Sequence, residues 1–311
     1  MIEQDKDLAP LTTFGIPAKA RYFARYNSTD ALLKLMRSEI FRDNEWLHIG
    51  SGSNLLFLGD YHGLVLRSDI LGRAMYQKDA GTAFAIAGAG EDWSDFVDWC
   101  VEQGLGGLEN LACIPGTVGA APVQNVGAYG VEAGQLIHSV EVMDVQTHKV
   151  ERILGNECGF GYRDSRFKHE WKGRYIVLRV SFRLRPSTEA RNLEYGPLRD
   201  LWERLGHTPS IAEVRDEIRS VRSAKLPDPE DIGSAGSFFR NPVVDTYYFN
   251  EVVRPLAPDI VSYPVGDGSR TKLAAGWLIE HAGLKGSTVG GAEVYPKQCL
   301  CLLYTSAAAD E

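Results

Sequence analysis

Apolar residues fall along the chain in blocks with two different periods. Ala31, Leu32, Leu35 and Met36 recur at helical spacing behind Ser28 and Thr29, which are candidate caps. Trp93, Phe96, Val97, Cys100 and Val101 form a second stripe that stops at Gly104. Ser210-Ile211-Ala212-Glu213 reads as a capping box. Ile211, Val214, Ile218 and Val221 continue it as a helix ended by Lys225-Leu226-Pro227. A last helix is predicted over about 272–281, with Gly283 as its stop. Period two governs 176–184. There Ile176, Leu178, Val180, Phe182 and Leu184 alternate with Val177, Arg179, Ser181 and Arg183, which predicts a strand with one buried face. Residues 46–49, 64–66, 84–90 and 140–142 read as further strands.

Residues 104–134 follow neither period. Eight glycines stand there at irregular spacing. A loop this long is uncommon in a compact domain unless it is functional or disordered. Leu105, Leu108, Leu111, Ile114, Val118, Val123, Val126 and Tyr129 make it too apolar for disorder. Glycine lets backbone press against a ligand, so the run predicts amides wrapped around a large, flat anion. The plainer alternative is a long surface loop. A second glycine segment, Gly50-Ser51-Gly52-Ser53-Asn54-Leu55, follows the strand at 46–49. It departs from G-x-G-x-x-G because Leu55 replaces the third glycine, and it lacks the Lys-Ser/Thr of a P-loop. A nest of amides and hydroxyls for a pyrophosphate is one reading of it, and a plain turn is the other. Two separated anion cradles suit a dinucleotide.

The 311 residues are enough for two or three domains. The order of helices, strands and long loops places the chain in the α+β class. A formal charge of −8 argues against a nucleic-acid partner. The charged start, Met1-Ile2-Glu3-Gln4-Asp5-Lys6-Asp7, has no apolar core of a signal peptide. No run of eighteen apolar residues occurs, so no membrane insertion is expected. The five cysteines lack metal spacing and read as reduced thiols in a cytoplasmic protein. The seven histidines form no ligand pattern either, so no metal is expected.

Several long motifs in one order carry a resemblance. They are Leu11-Thr12-Thr13-Phe14-Gly15, the Gly50 segment, residues 114–130, Gly161-Tyr162-Arg163-Asp164-Ser165, residues 233–242 and residues 272–279. In these the chain resembles the bacterial UDP-N-acetylenolpyruvoylglucosamine reductases, type I, from about residue 11 to about residue 298. The resemblance implies a PCMH-type, two-subdomain FAD-binding fold followed by an α+β substrate-binding domain. It implies subdomains at 1–68 and 69–188 and a substrate domain at 189–300. Non-covalent FAD is implied, with NADPH as hydride donor and UDP-N-acetylglucosamine enolpyruvate as substrate.

Residue roles follow from the same resemblance. The flavin contacts it implies are Gly50, Ser51, Gly52, Ser53 and Asn54, then Pro115, Gly116, Thr117 and Gly119, then Gln124, Asn125, Gly127, Ala128, Tyr129 and Gly130. Whether Asn54, Asn125 and Tyr129 touch FAD or only shape their loops is left open. Arg163 matches the cation that stabilises charge developing on the substrate carboxylate. Its alternative is an arginine salt-bridged beside Asp164. Ser237 matches the proton donor, while Ser234 reads as a turn serine. Lys225, Asn241, Tyr263, Lys272 and Gln298 match substrate-contacting positions, and Lys272 would sit in the first turn of the last helix, against the dipole. Tyr195 matches a tyrosine that covers the bound nucleotide, with a core tyrosine as the alternative.

The resemblance fades after Gln298. The family's third catalytic residue is a glutamate in a later strand, and Glu280 and Glu293 do not stand in its motif. Residues 301–306 can be encoded by a sequencing-transposon end. The expectation is therefore a substrate domain truncated near residue 300, a non-native tail at 301–311 and impaired turnover. Two rivals remain: another oxidoreductase on the same flavin fold, and a non-catalytic flavin or sugar-nucleotide binder.

Overall fold

The computed structural model describes residues 2–305. Contacts divide them into two units. The first comprises 2–8, 18–52 and 57–222, and the second 9–17, 53–56 and 223–305.

The first unit holds two sheets. One orders Ile2–Asp7, Lys19–Tyr26, Tyr61–Ser68 and Trp46–Ile49, with its first pair antiparallel and the others parallel. The other orders Val150–Leu154, Ile137–Asp144, Tyr175–Pro186, Thr82–Gly88 and Arg73–Asp79, all antiparallel. The capped helices form where their signals stand. Ser28 Oγ accepts from the Ala31 amide at the head of Thr29–Met36. Asp92 accepts from Asp95 at the head of Trp93–Glu102. Ser210 and Glu213 exchange bonds of 2.8 and 3.2 Å before Ile211–Lys225. That helix and Gly196–Leu205 send Leu198, Leu201, Ile211, Val214 and Ile218 into the same core as Trp93, Phe96 and Phe182. Residues 189–222 therefore belong to the first unit, and the division at 222/223 does not fall at residue 188.

The strand Tyr175–Pro186 departs from the expected single buried face. Ile176 and Leu178 enter the core with Leu32, Met36 and Leu64. Val177, Val180, Phe182 and Leu184 enter the core with Trp93. The pairing with Ile137–Asp144 slips so that Leu178 stands unopposed between Val177 and Arg179. One extra residue inverts the alternation beyond it, so a single strand serves two cores.

Below the Gly50 loop, Tyr26 Oη and His48 Nε2 share a 2.6 Å hydrogen bond between two strands of the parallel sheet. Burial lowers the His48 imidazole to about 4. The folded state thus favours neutral His48, and its stabilisation is present above the unfolded value, near 6.5. It is lost as pH falls from there through about 4, at up to roughly 1.4 kcal/mol per unit. Melting temperature measured over this window should fall more steeply in the native protein than in His48→Gln. Equal slopes would remove His48 from the acid response.

In the second unit, Gly233–Ser237, Cys301–Tyr304, Ala292–Val294 and Thr288–Val289 form one sheet in that order. Val243–Asp245, Arg270–Leu273 and Ser262–Val265 form another. Residues 9–17 join this unit. Thr13 accepts from the Ser234 amide at 2.7 Å, and its hydroxyl donates back to the Ser234 carbonyl. Phe14 meets Tyr304 edge-on. Cys301–Tyr304, read from sequence as tail, is an inner strand, and residues 306–311 lie outside the described residues.

The last helix is shorter than expected, Ala275–His281. Lys272 is not in its first turn but in a strand, paired with both Val243 and Tyr263. Strand neighbours on both sides override the helical propensity of Leu-Ala-Ala, and the dipole argument for Lys272 fails.

Among the described residues no helix is long and apolar enough to cross a membrane.

Candidate functional site

Unit one: the glycine-rich cradle and the Arg163 hairpin

Strand Trp46–Ile49 ends in buried Ile49 and delivers Gly50, Ser51 and Gly52. Gly52 adopts φ +69°, a value open to glycine and costly to most side chains. A Cβ on Gly50 would stand 2.7 Å from Thr117 Oγ1, so the two glycine segments lie against each other here. The Thr117 end is pinned to the turn before helix Trp93–Glu102. Trp93 N donates to Gly116 O, Val118 N to Glu91 O and Gly119 N to Ala89 O. A Cβ on Gly119 would come within 2.6 Å of Ala89 Cβ.

Farther along, Gly127–Ala128 and Val131–Glu132 pair as a hairpin. Tyr129 and Gly130 form its two-residue tip, both at positive φ, +47° and +81°, as a type I′ turn requires. Asn110 Nδ2 donates to Tyr129 O and to Asn192 O at 3.0 Å each. The Tyr129 ring meets that of Tyr195 edge-on at 5.6 Å, and burial raises the Tyr129 phenol while Arg222 opposes it. Tyr195 is exposed and is not a core residue.

Asn125 is 1% exposed and left-handed, φ +45°. Its amide nitrogen donates to Glu132 Oε2 at 2.7 Å and to Gly161 O at 2.8 Å, and its oxygen accepts from Gly134 N at 2.8 Å. Both amide hydrogens and the oxygen of the side chain are thus engaged by the loop and by Gly161.

Gly161 and Asp164 exchange backbone bonds of 3.0 and 3.1 Å, closing a tight hairpin with Tyr162 and Arg163 at its tip. Arg163 is half-buried at φ +56°. A left-handed conformation is uncommon for arginine and points toward function. Lys168 Nζ donates to Arg163 O at 2.9 Å. Asp164 turns its carboxylate to His169 Nε2 at 2.8 Å, an ion pair when the imidazole is protonated. Burial works to raise the Asp164 carboxyl, but the His169 bond and charge outweigh it and hold it below the usual range.

Unit two: the Ser237 strand and the Lys272 sheet

Ser237 ends strand Gly233–Ser237 opposite Cys301. The pairing is irregular between Ser234 and Ser237, and Gly236 takes φ +58°. Ser234 is buried and its Oγ accepts from Gly236 N at 3.1 Å, whereas Ser237 is exposed.

Four of the expected substrate contacts gather around one small sheet and the helix after it. Lys272 and Tyr263 are cross-strand partners, with the ammonium 5.8 Å from the ring centroid. Asn241 Oδ1 accepts from Ala275 N at 2.9 Å, capping the helix Ala275–His281. A Cβ on Gly276 of that helix would stand 3.7 Å from Gln298 Oε1. Lys225 ends the helix Ile211–Lys225, exposed. Ser53 and Asn54 pack with the second unit, unlike Gly50–Gly52. Among the described residues no His, Cys, Asp and Glu group could hold a metal ion.

Sequence reasoning missed Glu132, Gly134 and Ser165, which with Asn125 bind the cradle to the Arg163 hairpin. Their partners lie 7 to 42 residues away, and the one local signal was an asparagine, a residue that tolerates left-handed backbone.

Comparison with known proteins

Residues 20–153 match the family profile of an FAD binding domain, and residues 228–311 that of the UDP-N-acetylenolpyruvoylglucosamine reductase C-terminal domain. The UDP-N-acetylenolpyruvoylglucosamine reductase of Burkholderia multivorans is 45% identical over 302 residues, 96% of this chain and 86% of its own length. That of Vibrio vulnificus is 42% identical over 301 residues, 97% of this chain and 84% of its own. The crystal structure of UDP-N-acetylenolpyruvylglucosamine reductase (MurB) from Thermus caldophilus superposes with a TM-score of 0.67 at 24% identity, covering 98% of this chain and 88% of that one, and it shows the same fold. The chain is thus a flavoprotein whose FAD-binding fold is joined to a separate C-terminal domain. It belongs to the UDP-N-acetylenolpyruvoylglucosamine reductase family.

The first unit fits the flavin on its own geometry. Ser51 Oγ is buried without a hydrogen-bond partner. A hydroxyl left so costs about 1–3 kcal/mol, which a phosphate oxygen accepting its proton would recover. Ser51→Ala should therefore leave the apoprotein as stable or slightly more so, yet weaken FAD binding roughly 10-fold. Flavin fluorescence titration and thermal melts of the apoprotein check both halves. Unchanged FAD affinity would take Ser51 out of the cradle.

Proposed function

We propose that this protein reduces the enolpyruvyl ether of UDP-N-acetylglucosamine enolpyruvate to UDP-N-acetylmuramic acid, a peptidoglycan precursor, using FAD and NADPH. The observation that carries this reading is that one family accounts for both units, with the flavin profile on the first and the reductase-specific profile on the second. Bound FAD would supply the redox chemistry, a hydride relay between NADPH and the enolpyruvyl group. Gly50, Ser51 and Gly52, with residues 115–119 and 124–130, would hold it, chiefly through backbone amides and the Ser51 hydroxyl. Tyr129 would shape the cradle through its turn, as Asn125 does through its bonds.

The chain's own residues divide the remaining work. Hydride addition drives negative charge toward the substrate carboxylate. The Arg163 guanidinium would stabilise that charge from a turn set before reaction begins, so little reorganisation is needed. Ser237 would give its hydroxyl proton to the adjacent carbon. A serine is a weak acid, but the carbanion-like centre is a strong base, so the transfer is downhill. Lys225 and Lys272 suit the diphosphate, and Asn241, Tyr263 and Gln298 suit the sugars and base. Tyr195 would cover the nucleotide. The substrate and NADPH are soluble nucleotides, which supports a reaction in the bacterial cytoplasm.

The test is NADPH oxidation by the purified, FAD-loaded protein. Oxidation that requires the enolpyruvyl sugar nucleotide is the expected result. Oxidation without it would favour another flavin oxidoreductase, and flavin binding with no turnover would favour a binding protein.

A further inference from the structure

We propose that Asn125 is a positioning residue that fixes the Arg163 hairpin to the flavin loop, so that the reacting cation is held by the cradle itself. The proposal rests on the role given to Arg163 above. Four observations carry it. Asn125 is buried and held left-handed, a conformation asparagine tolerates better than most residues. Its amide reaches two other chain segments at once: Glu132 and Gly134 just after the type I′ turn, and Gly161 at the root of the hairpin. Gly134 leaves no slack there, because a Cβ on it would stand 2.6 Å from the Phe160 ring and 2.8 Å from Asn125 Oδ1. On the other side of Arg163, Ser165 Oγ donates to Val123 O at 2.5 Å. Both ends of the hairpin are therefore tied to the short stretch 123–125. The base of the Arg163 hairpin, at Gly161 and Ser165, cannot shift relative to the glycine-rich loop without breaking one of these bonds.

The bridge also explains why the side chain must be an amide. It donates twice, to a carboxylate and a carbonyl, and accepts once from an amide N–H. Aspartate would set a second carboxylate against Glu132 and lose both donors. Glycine keeps the left-handed backbone without strain and removes only the bridge, so it isolates the effect.

The test compares Asn125→Gly with Arg163→Ala and with the double variant. Two hydride transfers are followed separately by flavin absorbance, from NADPH to the flavin and from the flavin to the enolpyruvyl substrate. FAD affinity is measured by titrating the apoprotein. In Asn125→Gly the second transfer is expected to slow about 10–100-fold, the scale for misplacing a reacting group by about 1 Å. The first transfer, followed at saturating FAD, should slow far less than the second. In the Arg163→Ala background the glycine change should add almost nothing, since it acts through the missing arginine. Additive losses, or a loss of FAD affinity with both transfers slowed alike, would make Asn125 a flavin-holding or general structural residue and overturn the proposal. A normal second transfer in Asn125→Gly would do the same. Arg163→Ala that leaves the second transfer fast would instead refute the reading of Arg163.

Discussion

Replacing Arg163 should lower turnover about 10²–10³-fold, the usual cost of removing one preorganised charge-stabilising donor. Two replacements are needed, because they should agree on activity and differ on stability. Alanine and glycine both remove the guanidinium. Alanine keeps a Cβ at φ +56° and glycine does not. The left-handed conformation costs a non-glycine residue about 1 kcal/mol, so the glycine protein should be the more stable of the two by about that amount. The hairpin survives in both, since its closing bonds run through Gly161 and Asp164 backbone and Lys168 donates to the residue 163 carbonyl. Steady-state kinetics and urea denaturation give the two readings. The catalytic role is refuted by turnover within about threefold of normal. The strain is refuted if alanine equals or exceeds glycine in stability. If both hold, Arg163 is kept for its chemistry against a local preference for another residue at this turn, as expected where strain sits at a working site.

What the sequence disclosed and what it hid divide along physical lines. Helices Thr29–Met36, Trp93–Glu102 and Ile211–Lys225 were legible because cap and apolar stripe are local signals that agree. Ile2–Asp7 was not, since an edge strand reading Ile-Glu-Gln-Asp-Lys-Asp carries one apolar residue and takes its pairing from Lys19–Tyr26. Lys272 was placed in a helix because its neighbours favour one, while the decisive partners, Val243 and Tyr263, are remote in sequence or lack a period. The face switch at Leu178 depends on a bulge that no periodicity announces. Of the site, the glycine segments announced a backbone cradle by composition. The roles proposed for Arg163 and Ser237 rest on motifs alone, because a hairpin tip and an exposed strand end have no pattern of their own. Asn125 shows the limit most clearly. The residue was picked out, yet the role proposed for it lies in bonds to Glu132, Gly134 and Gly161, which only the fold brings together.

Ser237 offers the second large effect and a built-in control. Ser237→Ala should lower turnover about 10²–10⁴-fold, the range for a positioned proton donor. It should leave FAD affinity and the KM for NADPH unchanged. Because Ser237 is exposed, stability should move by no more than about 0.5 kcal/mol. Ser234 stands three residues earlier and should behave in the opposite way. It is 2% exposed, its Oγ accepts from Gly236 N, and its backbone is held by Thr13 on both sides of the peptide. Ser234→Ala should cost about 1 kcal/mol of stability for the lost hydrogen bond, with turnover reduced far less than in Ser237→Ala. The physical ground for the contrast is the irregular pairing between the two serines, with Gly236 at φ +58°. It lets one serine close the bend and leaves the next at the accessible end of the strand. Turnover above about a tenth of normal in Ser237→Ala would exclude it as the essential proton donor, because a donor worth the lower bound of that range cannot be removed so cheaply. A larger loss of turnover in Ser234→Ala than in Ser237→Ala would move the chemistry to the bend itself, where a buried hydroxyl held by one backbone amide would have to reach the substrate.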